Sequence, residues 1–443
     1  MMKKIPAITM PILLILFSAT AFAEETSGAA TPQAINSGDT AFVLISAALV
    51  LLMTPGLAFF YGGMVRRKNI LSILMQCFVL ICVISLQWIL YGYSLAFGPD
   101  VGGVLGSLKW IGLNGVGAAP NADYAATIPH QAFMIFQAMF AIITPALIIG
   151  AFAERIKFSS FFLFMILWAT FVYDPIAHWV WGSGGWLRNL GVLDFAGGSV
   201  VHINAGIAAL VMCMLIGKRE GYRKQPFAPH NLPFTVLGVG LLWFGWFGFN
   251  AGSALSAGGL AVNAFVTTNT AAAAAGLMWA LIEWRQNGSP TMLGAATGAV
   301  AGLATITPAF GYVSPLSAIL IGMMASVICF YAVALIKPRL GYDDSLDVFG
   351  VHGVGGILGM LATGIFAEKA INAAGNDGLL FGNAHQFLSQ LFGVLVTITV
   401  SAIGTFVLYK IVDALLGMRV TEGDEILGLD ITQHKEAGYT VLE

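Results

Sequence analysis

The sequence contains unusually little charge. Only 9% of its 443 residues are Asp, Glu, Lys or Arg, whereas 58% are hydrophobic. A soluble domain carries about 25% charged residues, so the composition excludes a soluble enzyme as well as a disordered chain. The net charge of −2 provides no positive field for nucleic acid, and we expect no nucleic-acid partner. The composition therefore predicts an all-α polytopic membrane protein.

Cysteine is also scarce, and its four positions carry no pattern. Each of the four lies inside an apolar run, and there is no CxxC pair. This arrangement predicts neither a disulfide framework nor a metal site, and we expect the cysteines to be small core residues. The sequence also has no nucleophile–base pair and no phosphate-binding loop. We therefore expect no enzymatic activity, no metal and no cofactor.

The N-terminus has the pattern of a secretory signal peptide. Lys3 and Lys4 precede an apolar run over 5–17, and Ala21-Phe22-Ala23 offers a small-x-small cleavage site. We predict that residues 1–23 are removed, although an uncleaved short anchor is the alternative. Cleavage would leave the mature N-terminus on the periplasmic side of a cell inner (cytoplasmic) membrane.

Apolar stretches long enough to cross a bilayer recur along the chain. They predict eleven helices near 38–63, 70–97, 131–153, 159–181, 199–217, 232–256, 260–284, 291–309, 314–336, 346–367 and 385–412. With the N-terminus outside, 15 of the 18 basic residues beyond the signal peptide lie on the cytoplasmic side. This bias predicts a membrane domain over 24–412 and a cytoplasmic tail over 413–443.

Two helix starts resemble each other. The fifth helix begins near Asp194 and contains His202, and the tenth begins near Asp347 and contains His352. Because the two helices are five apart, the halves would have opposite orientations, which indicates an inverted 5+5 repeat plus one extra helix. Each histidine alone could be an ordinary interhelical hydrogen-bond group. A matched pair favours a path for a small polar solute, because intramembrane ionisable groups usually face such paths.

Aromatic residues near the outer ends of three helices indicate a cation-attracting entrance. The segments are 136–140, 178–182 and 246–253, and aromatic faces attract cations by about 0.5–2 kcal/mol. Plain helix packing is the alternative for these segments. Asp194 could cap the following helix, act as a counter-ion, or do both, and we favour the cap.

These motifs together resemble the ammonium transporter (Amt/MEP/Rh) family, on its Amt side. Asp194-Phe-Ala-Gly-Gly followed by small residues and Gly217-Lys218-Arg219 is similar to the family signature. The resemblance covers nearly the whole mature chain, including segments 55–63, 153–155, 246–253 and 347–353.

The resemblance implies a homotrimer with one pore in each subunit, and it implies a role for each matching residue. Phe140, Trp181 and Ser253 would bind ammonium at an outer site. Phe140 and Phe249 would form a stacked gate with Phe136 beside them, and His202 and His352 would line the pore. Supporting positions would be Asp194, Gln137, Trp246, Tyr61 and Val348.

The implied function is transport of ammonium or methylammonium, with deprotonation at the gate and net charge movement.

The tail over 413–443 is similar to the family's regulatory tail, which implies docking of a PII-type signal-transduction protein. A solvated tail without a partner is the alternative. Two other functions remain open from the sequence. One is a neutral Rh-type channel for ammonia or carbon dioxide, and the other is an ammonium sensor.

Overall fold

The computed structural model describes residues 35–439, which form one compact unit. The predicted signal peptide, residues 1–23, lies outside the described residues. Within them, ten helices are long and apolar enough to cross a membrane, and an eleventh apolar helix is shorter. In chain order these helices are α1 (Ser37–Met64), α2 (Arg67–Phe97), α3 (His130–Phe152), α4 (Phe158–Asn189), α5 (Gly198–Ile216), α6 (Leu232–Gly252), α7 (Gly259–Asn287), α8 (Met292–Ile306), α9 (Pro315–Leu340), α10 (Phe349–Phe366) and α11 (Ala384–Leu416).

The short helix α8 occupies the place of the eighth predicted span, 291–309. It has 15 residues, whereas a bilayer crossing needs about 20. The chain continues through buried turns to Val313 before α9 begins. The all-helical membrane fold is thus confirmed, and eleven full crossings stay a proposal.

Asparagine and threonine side chains cap the N-termini of several of these helices. Asn231 accepts a hydrogen bond from the Phe234 N–H at the start of α6, and Asn383 accepts from the Gln386 N–H at the start of α11. Thr291 accepts from the Gly294 N–H at the start of α8. Such caps satisfy backbone N–H groups that have no partner inside the helix.

Glycines bring helix backbones into direct contact at two crossings. A Cβ atom at Gly238 of α6 would lie 2.2 Å from the Phe60 nitrogen of α1. A Cβ atom at Gly206 of α5 would lie 2.2 Å from both the Cα atom and the nitrogen of Gly353 in α10. Only glycine fits such approaches. The second crossing holds together the two helices that carry the candidate histidines.

Helices α5 and α10 share an unusual start. Each opens with a π-helical turn, over Gly198–Ile203 in α5 and over Phe349–Gly353 in α10. His202 lies inside the first turn and His352 inside the second. The recurrence supports the inverted repeat expected from the sequence, and π turns are frequent at functional sites.

A hairpin packs against the C-terminal part of α4. Strand β1 (Asp100–Val101) pairs antiparallel with β2 (Leu105–Gly106). His178 of α4 donates from Nδ1 to the Ala96 carbonyl at 2.9 Å, and its Nε2 atom lies 2.9 Å from the Asp100 carboxylate. This contact fixes the hairpin beside Trp181.

The chain after α11 folds back on the opposite end of the bundle. It contains the short helix α12 (Glu422–Leu427) and a π turn over Asp430–His434. The buried Asp430 carboxylate accepts a hydrogen bond from the Ser72 N–H at 2.8 Å, and burial raises the pKa of this carboxyl. The Tyr439 hydroxyl lies 2.9 Å from Nε2 of His230. The tail is therefore packed against the membrane domain.

One expectation about the cysteines was wrong. Cys77, Cys213 and Cys329 are buried as predicted, but Cys82 is exposed on the described surface. An apolar run cannot distinguish the side of a helix that faces other helices from the side that faces lipid, because both are apolar.

Candidate functional site

A cavity of about 420 Å³, called the outer cavity below, opens at the end of the bundle that contains the C-terminal part of α4. Phe140, Trp181 and Ser253, the three residues expected to bind a cation, all line it, as does Gln137. The Trp181 and Phe140 rings are nearly perpendicular, at 84°, with their centroids 5.7 Å apart. The cavity therefore offers two aromatic rings, a hydroxyl and an amide to a small cation.

Phe140 and Phe249 meet at the inner end of this cavity. Their ring centroids are 4.3 Å apart, but the ring planes are inclined by 42°. The two rings are tilted rather than stacked in parallel, which differs from the stacked gate that we expected. Phe136 packs edge-on against Phe140 at 5.0 Å, as expected for a neighbour of the pair. These rings separate the outer cavity from the interior.

The two histidines lie directly behind the phenylalanines. Their Nδ1 atoms are 3.3 Å apart and their rings are nearly parallel, at 18°. Between two neutral imidazoles, one Nδ1 must donate and the other accept, so the accepting ring carries its hydrogen on Nε2. The buried Nε2 atom of His202 has no partner, and it can therefore bond to a passing solute.

The space beside the histidines is very small and otherwise apolar. A cavity of about 10 Å³ lies between His202, His352, Trp246 and Phe249, and aliphatic side chains complete its wall. A water molecule needs roughly 10–15 Å³, so the cavity fits about one molecule of that size. Trp246 lies nearly parallel to His202, with centroids 5.5 Å apart, and donates to the Thr307 hydroxyl at 3.0 Å.

A third cavity continues the path towards the other end of the bundle. It measures about 50 Å³, and His352, Tyr61 and Asp347 are among its lining residues. The Tyr61 hydroxyl donates to the Leu147 carbonyl at 2.9 Å. Val348, the other expected lining position, is buried but does not line this cavity; it packs against Gly150 instead.

Asp194 caps α5 with both carboxylate oxygens. Oδ1 accepts from the N–H groups of Gly197 and Gly198 at 2.7 Å each, and Oδ2 accepts from Ser199 at 2.7 Å and Val200 at 3.3 Å. Burial raises the pKa of this carboxyl, and the four hydrogen bonds oppose that rise. The Asp194 carbonyl also accepts from the Trp181 indole N–H at 2.8 Å. The cap thus positions one wall of the outer cavity.

The acid that corresponds to Asp194 in the second half is Asp344, not Asp347. Asp344 lies eight residues before His352, as Asp194 lies before His202. It accepts from the Phe349 N–H at 2.8 Å, at the start of α10. Asp347 instead pairs with Lys337 at 2.5 Å and has a positive φ of 62°. The equal spacing of eight was visible in the sequence and would have identified Asp344.

Two charged residues of the outer cavity were also not foreseen. Asp123 and Arg188 both line it, and Arg188 donates to the Trp181 carbonyl at 3.0 Å. Asp123 lies in the connection between α2 and α3, and Arg188 lies in the last turn of α4, and at neither place does a periodic pattern indicate which way a side chain points.

An outer cavity, an aromatic barrier and a narrow histidine-lined passage in series define a membrane channel or transporter for a small solute. The chain belongs to the Ammonium Transporter Family, whose profile matches residues 41–439.

Relatives from distant organisms match nearly the full length of the chain. It is 53% identical to an ammonium transporter of Bacillus subtilis (strain 168) over 402 residues, which is 91% of this chain and 98% of the relative. It is 47% identical to an ammonium transporter of Aquifex aeolicus (strain VF5) over 435 residues, 97% of this chain and 98% of the relative.

Solved structures agree with the described fold. Saccharomyces cerevisiae Mep2 superposes with a TM-score of 0.83 at 36% identity, covering 87% of this chain and 88% of that one. A protein described as a sensor Amt protein also gives a TM-score of 0.83, at 30% identity, covering 89% of this chain and 98% of that one.

Proposed function

We propose that the chain carries ammonium across the membrane by separating the ion from its proton. The observation that supports this proposal best is the order of the three cavities. The outer cavity of about 420 Å³ has aromatic walls, and the passage beyond the phenylalanines has only about 10 Å³. A hydrated cation fits the first space and not the second.

Physical chemistry determines which form of the solute passes. Ammonium in the outer cavity is attracted by the ring faces of Phe140 and Trp181 and can donate a hydrogen bond to Ser253. Moving the bare ion into an apolar passage costs many kcal/mol. Neutral ammonia avoids most of this cost, and it can exchange hydrogen bonds with His202 and His352. Potassium has the same charge but no proton to release, so it is excluded.

The supporting residues act on this path indirectly. Asp194 orients Trp181 and adds negative potential near the outer site. Gln137 offers an amide to the arriving cation, Trp246 keeps the His202 ring in place, and Tyr61 bounds the inner exit. We assign Val348 a packing role beside the exit, because it touches Gly150 rather than the cavity.

The charge that the path carries can be measured directly. We expect purified protein in proteoliposomes on a solid-supported membrane to give a current on addition of ammonium and none on addition of potassium. His202→Ala and His352→Ala should abolish the ammonium current or remove the exclusion of potassium, whereas His385→Ala, on an exposed residue, should do neither.

Two results would contradict this proposal. Unchanged ammonium currents and unchanged potassium exclusion in both histidine variants would refute the role of the histidine pair. Ammonia uptake without any current in the wild type would refute net charge movement and favour a neutral gas channel.

We further propose the assembly and topology that the resemblance implies. The chain would form a homotrimer in a cell inner membrane, with a signal peptide over 1–23, a membrane domain over 24–412 and a cytoplasmic tail over 413–443. The excess of basic residues in alternate loops supports the orientation. Large apolar side chains that are exposed on α7 and α9, such as Leu277 and Leu316, support a surface covered by lipid or by other subunits.

The tail is proposed as the docking element for a PII-type partner. Its packing against the membrane domain through Asp430, and through Arg419, which donates to the Ile216 carbonyl at 3.2 Å, would present a defined surface rather than a loose chain.

A further inference from the structure

One carboxyl lies deep inside a membrane-spanning helix and away from the ammonium path. Asp174 of α4 is fully buried, seven residues before Trp181, which is about 10 Å along the helix axis at 1.5 Å per residue. Among residues 35–439 no Lys, Arg or His nitrogen forms an ion pair with it. An ionised carboxylate in such surroundings is expensive, and intramembrane acids usually have a function.

The partner of Asp174 is an amide on α2. Nε2 of Gln87 donates to Oδ2 of Asp174 at 2.8 Å, and Gln87 is itself only 4% exposed. One turn earlier on α4, the Thr170 hydroxyl donates to the Ile166 carbonyl at 2.9 Å. The Tyr91 hydroxyl, 3.1 Å away, must therefore donate to Thr170. Nε2 of Gln87 also lies 3.5 Å from the Thr170 hydroxyl, so the pair is flanked by neutral polar groups of the same two helices.

Two oxygens of this pair have no hydrogen-bond partner. They are Oδ1 of Asp174 and Oε1 of Gln87, and both are buried. A carboxylate and an amide carbonyl cannot bond to each other, because both only accept. A proton on Oδ1 would change this, since a carboxyl group and a primary amide can form two hydrogen bonds in a ring, one in each direction. A protonated Asp174 therefore satisfies both oxygens at once.

The surrounding backbone leaves little space beside the amide. A Cβ atom at Gly92 would lie 2.5 Å from Oε1 and 2.6 Å from Nε2 of Gln87. The amide is thus packed against bare backbone. Both helices also widen at this level: a π turn over Trp88–Gly92 directly follows Gln87, and another over Ala169–Tyr173 directly precedes Asp174. Matched π turns on each side of the pair indicate a built site, because such turns concentrate at functional positions.

We propose that Asp174 and Gln87 form a proton-binding site within the membrane domain, separate from the ammonium path. The ligand is a single proton, held on Oδ1 of Asp174 and shared with Oε1 of Gln87. Neither residue lines the outer cavity or the two inner cavities. The site therefore does not depend on the proposed transport mechanism.

Infrared spectroscopy of the full chain in lipid tests the site, because a protonated carboxyl has its own carbonyl stretch, which shifts in D₂O. Spectra are compared at pH 8, well above the pKa of about 6 to which burial raises Asp344. We expect the wild type to show the carboxyl band, Asp174→Asn to lose it, and the matched control Asp344→Asn to keep it. In Gln87→Leu the band should remain and move to higher frequency, because the carbonyl loses its amide donor.

The Gln87→Leu spectrum keeps the proposal testable if Asp174→Asn fails to fold. A wild-type spectrum without the band would overturn the proposal, as would a band that persists in Asp174→Asn or one that does not move in Gln87→Leu. Thermal stability that rises with sodium in the wild type and not in Asp174→Asn would show a bound metal cation instead of a proton, and would also overturn it.

Discussion

The acids of this protein differ in what their carboxyl groups contact. Asp194 accepts four backbone N–H groups, Asp344 accepts the N–H group at the start of α10, and Asp174 has only an amide as partner. Each carboxyl group is buried, so the protein must supply the hydrogen bonds that water would otherwise make to it. The same residue type therefore serves as a helix cap in two places and as a proposed proton site in a third.

Asp344 makes the stability of the protein depend on pH. Burial raises its pKa from 3.8 to about 6, despite the opposing charge of Lys337. The folded state therefore binds a proton that the unfolded state has released, and this contribution to stability is lost as the pH rises from about 4 through 6. Its full size is roughly 3 kcal/mol at 1.36 kcal/mol per pKa unit.

The measurement is thermal unfolding in detergent between pH 4 and 7. We expect Asp344→Asn to gain stability relative to the wild type across this range, because the amide does not ionise. The control variant Glu436→Gln removes an exposed carboxylate. Its unfolding temperature should change with pH in the same way as that of the wild type. A constant difference between Asp344→Asn and the wild type at every pH would contradict the assignment.

Helices α5 and α10 bring together two histidines that are 150 residues apart in the chain. The sequence indicated both residues, and the family resemblance paired them. It could not give the tilt of the phenylalanine rings, because side-chain angles depend on packing from several helices at once. It also associated the wrong acid with α10, because Asp347 lies closer to the apolar run than Asp344 does.

The glycine contact between these helices predicts the effect of one added methyl group. Gly206→Ala would place a Cβ atom 2.2 Å from the Gly353 backbone, so the helices must separate. Overpacking of this kind typically costs about 1–3 kcal/mol. We expect a lower melting temperature and a reduced ammonium current, since the histidines move apart.

Gly240→Ala is the matched control, because a Cβ atom at Gly240 of α6 meets no other atom within 4 Å. This variant should melt at the wild-type temperature or above, since alanine favours a helix by about 1 kcal/mol over glycine. Equal melting temperatures for the two alanine variants would show that the crossing tolerates a methyl group.

At the scale of the whole molecule, the chain consists of an apolar bundle with a polar tail folded onto one end. The apolar runs predicted eleven helices, and ten of them are long and apolar enough in the described residues to cross a membrane. These were predictable because length and hydropathy determine bilayer crossings directly. The position of the tail on the bundle could not be predicted in the same way. Its contacts join Asp430 to Ser72 and Tyr439 to His230, and pairs so distant in sequence leave no periodic pattern.

The proposed partner gives a test at this scale. A chain truncated after Val420 loses α12, Asp430 and Tyr439 but keeps α11. We expect a PII-type protein to be recovered with the intact chain and at least tenfold less with the truncated one, a loss of about 1.4 kcal/mol or more in binding. The measurement is a pull-down from detergent solution with purified components, and equal recovery would refute the tail's role.

The π turns that hold His202 and His352 have a consequence for how the two sequence halves can change. A π turn takes up an additional residue, and every position beyond it is rotated by about 100° relative to an uninterrupted α-helix. Deleting a single residue from either turn would leave the amino-acid composition of the helix almost unchanged. It would nevertheless direct the histidine towards another neighbour. In these two segments, insertions and deletions are therefore more damaging than most substitutions.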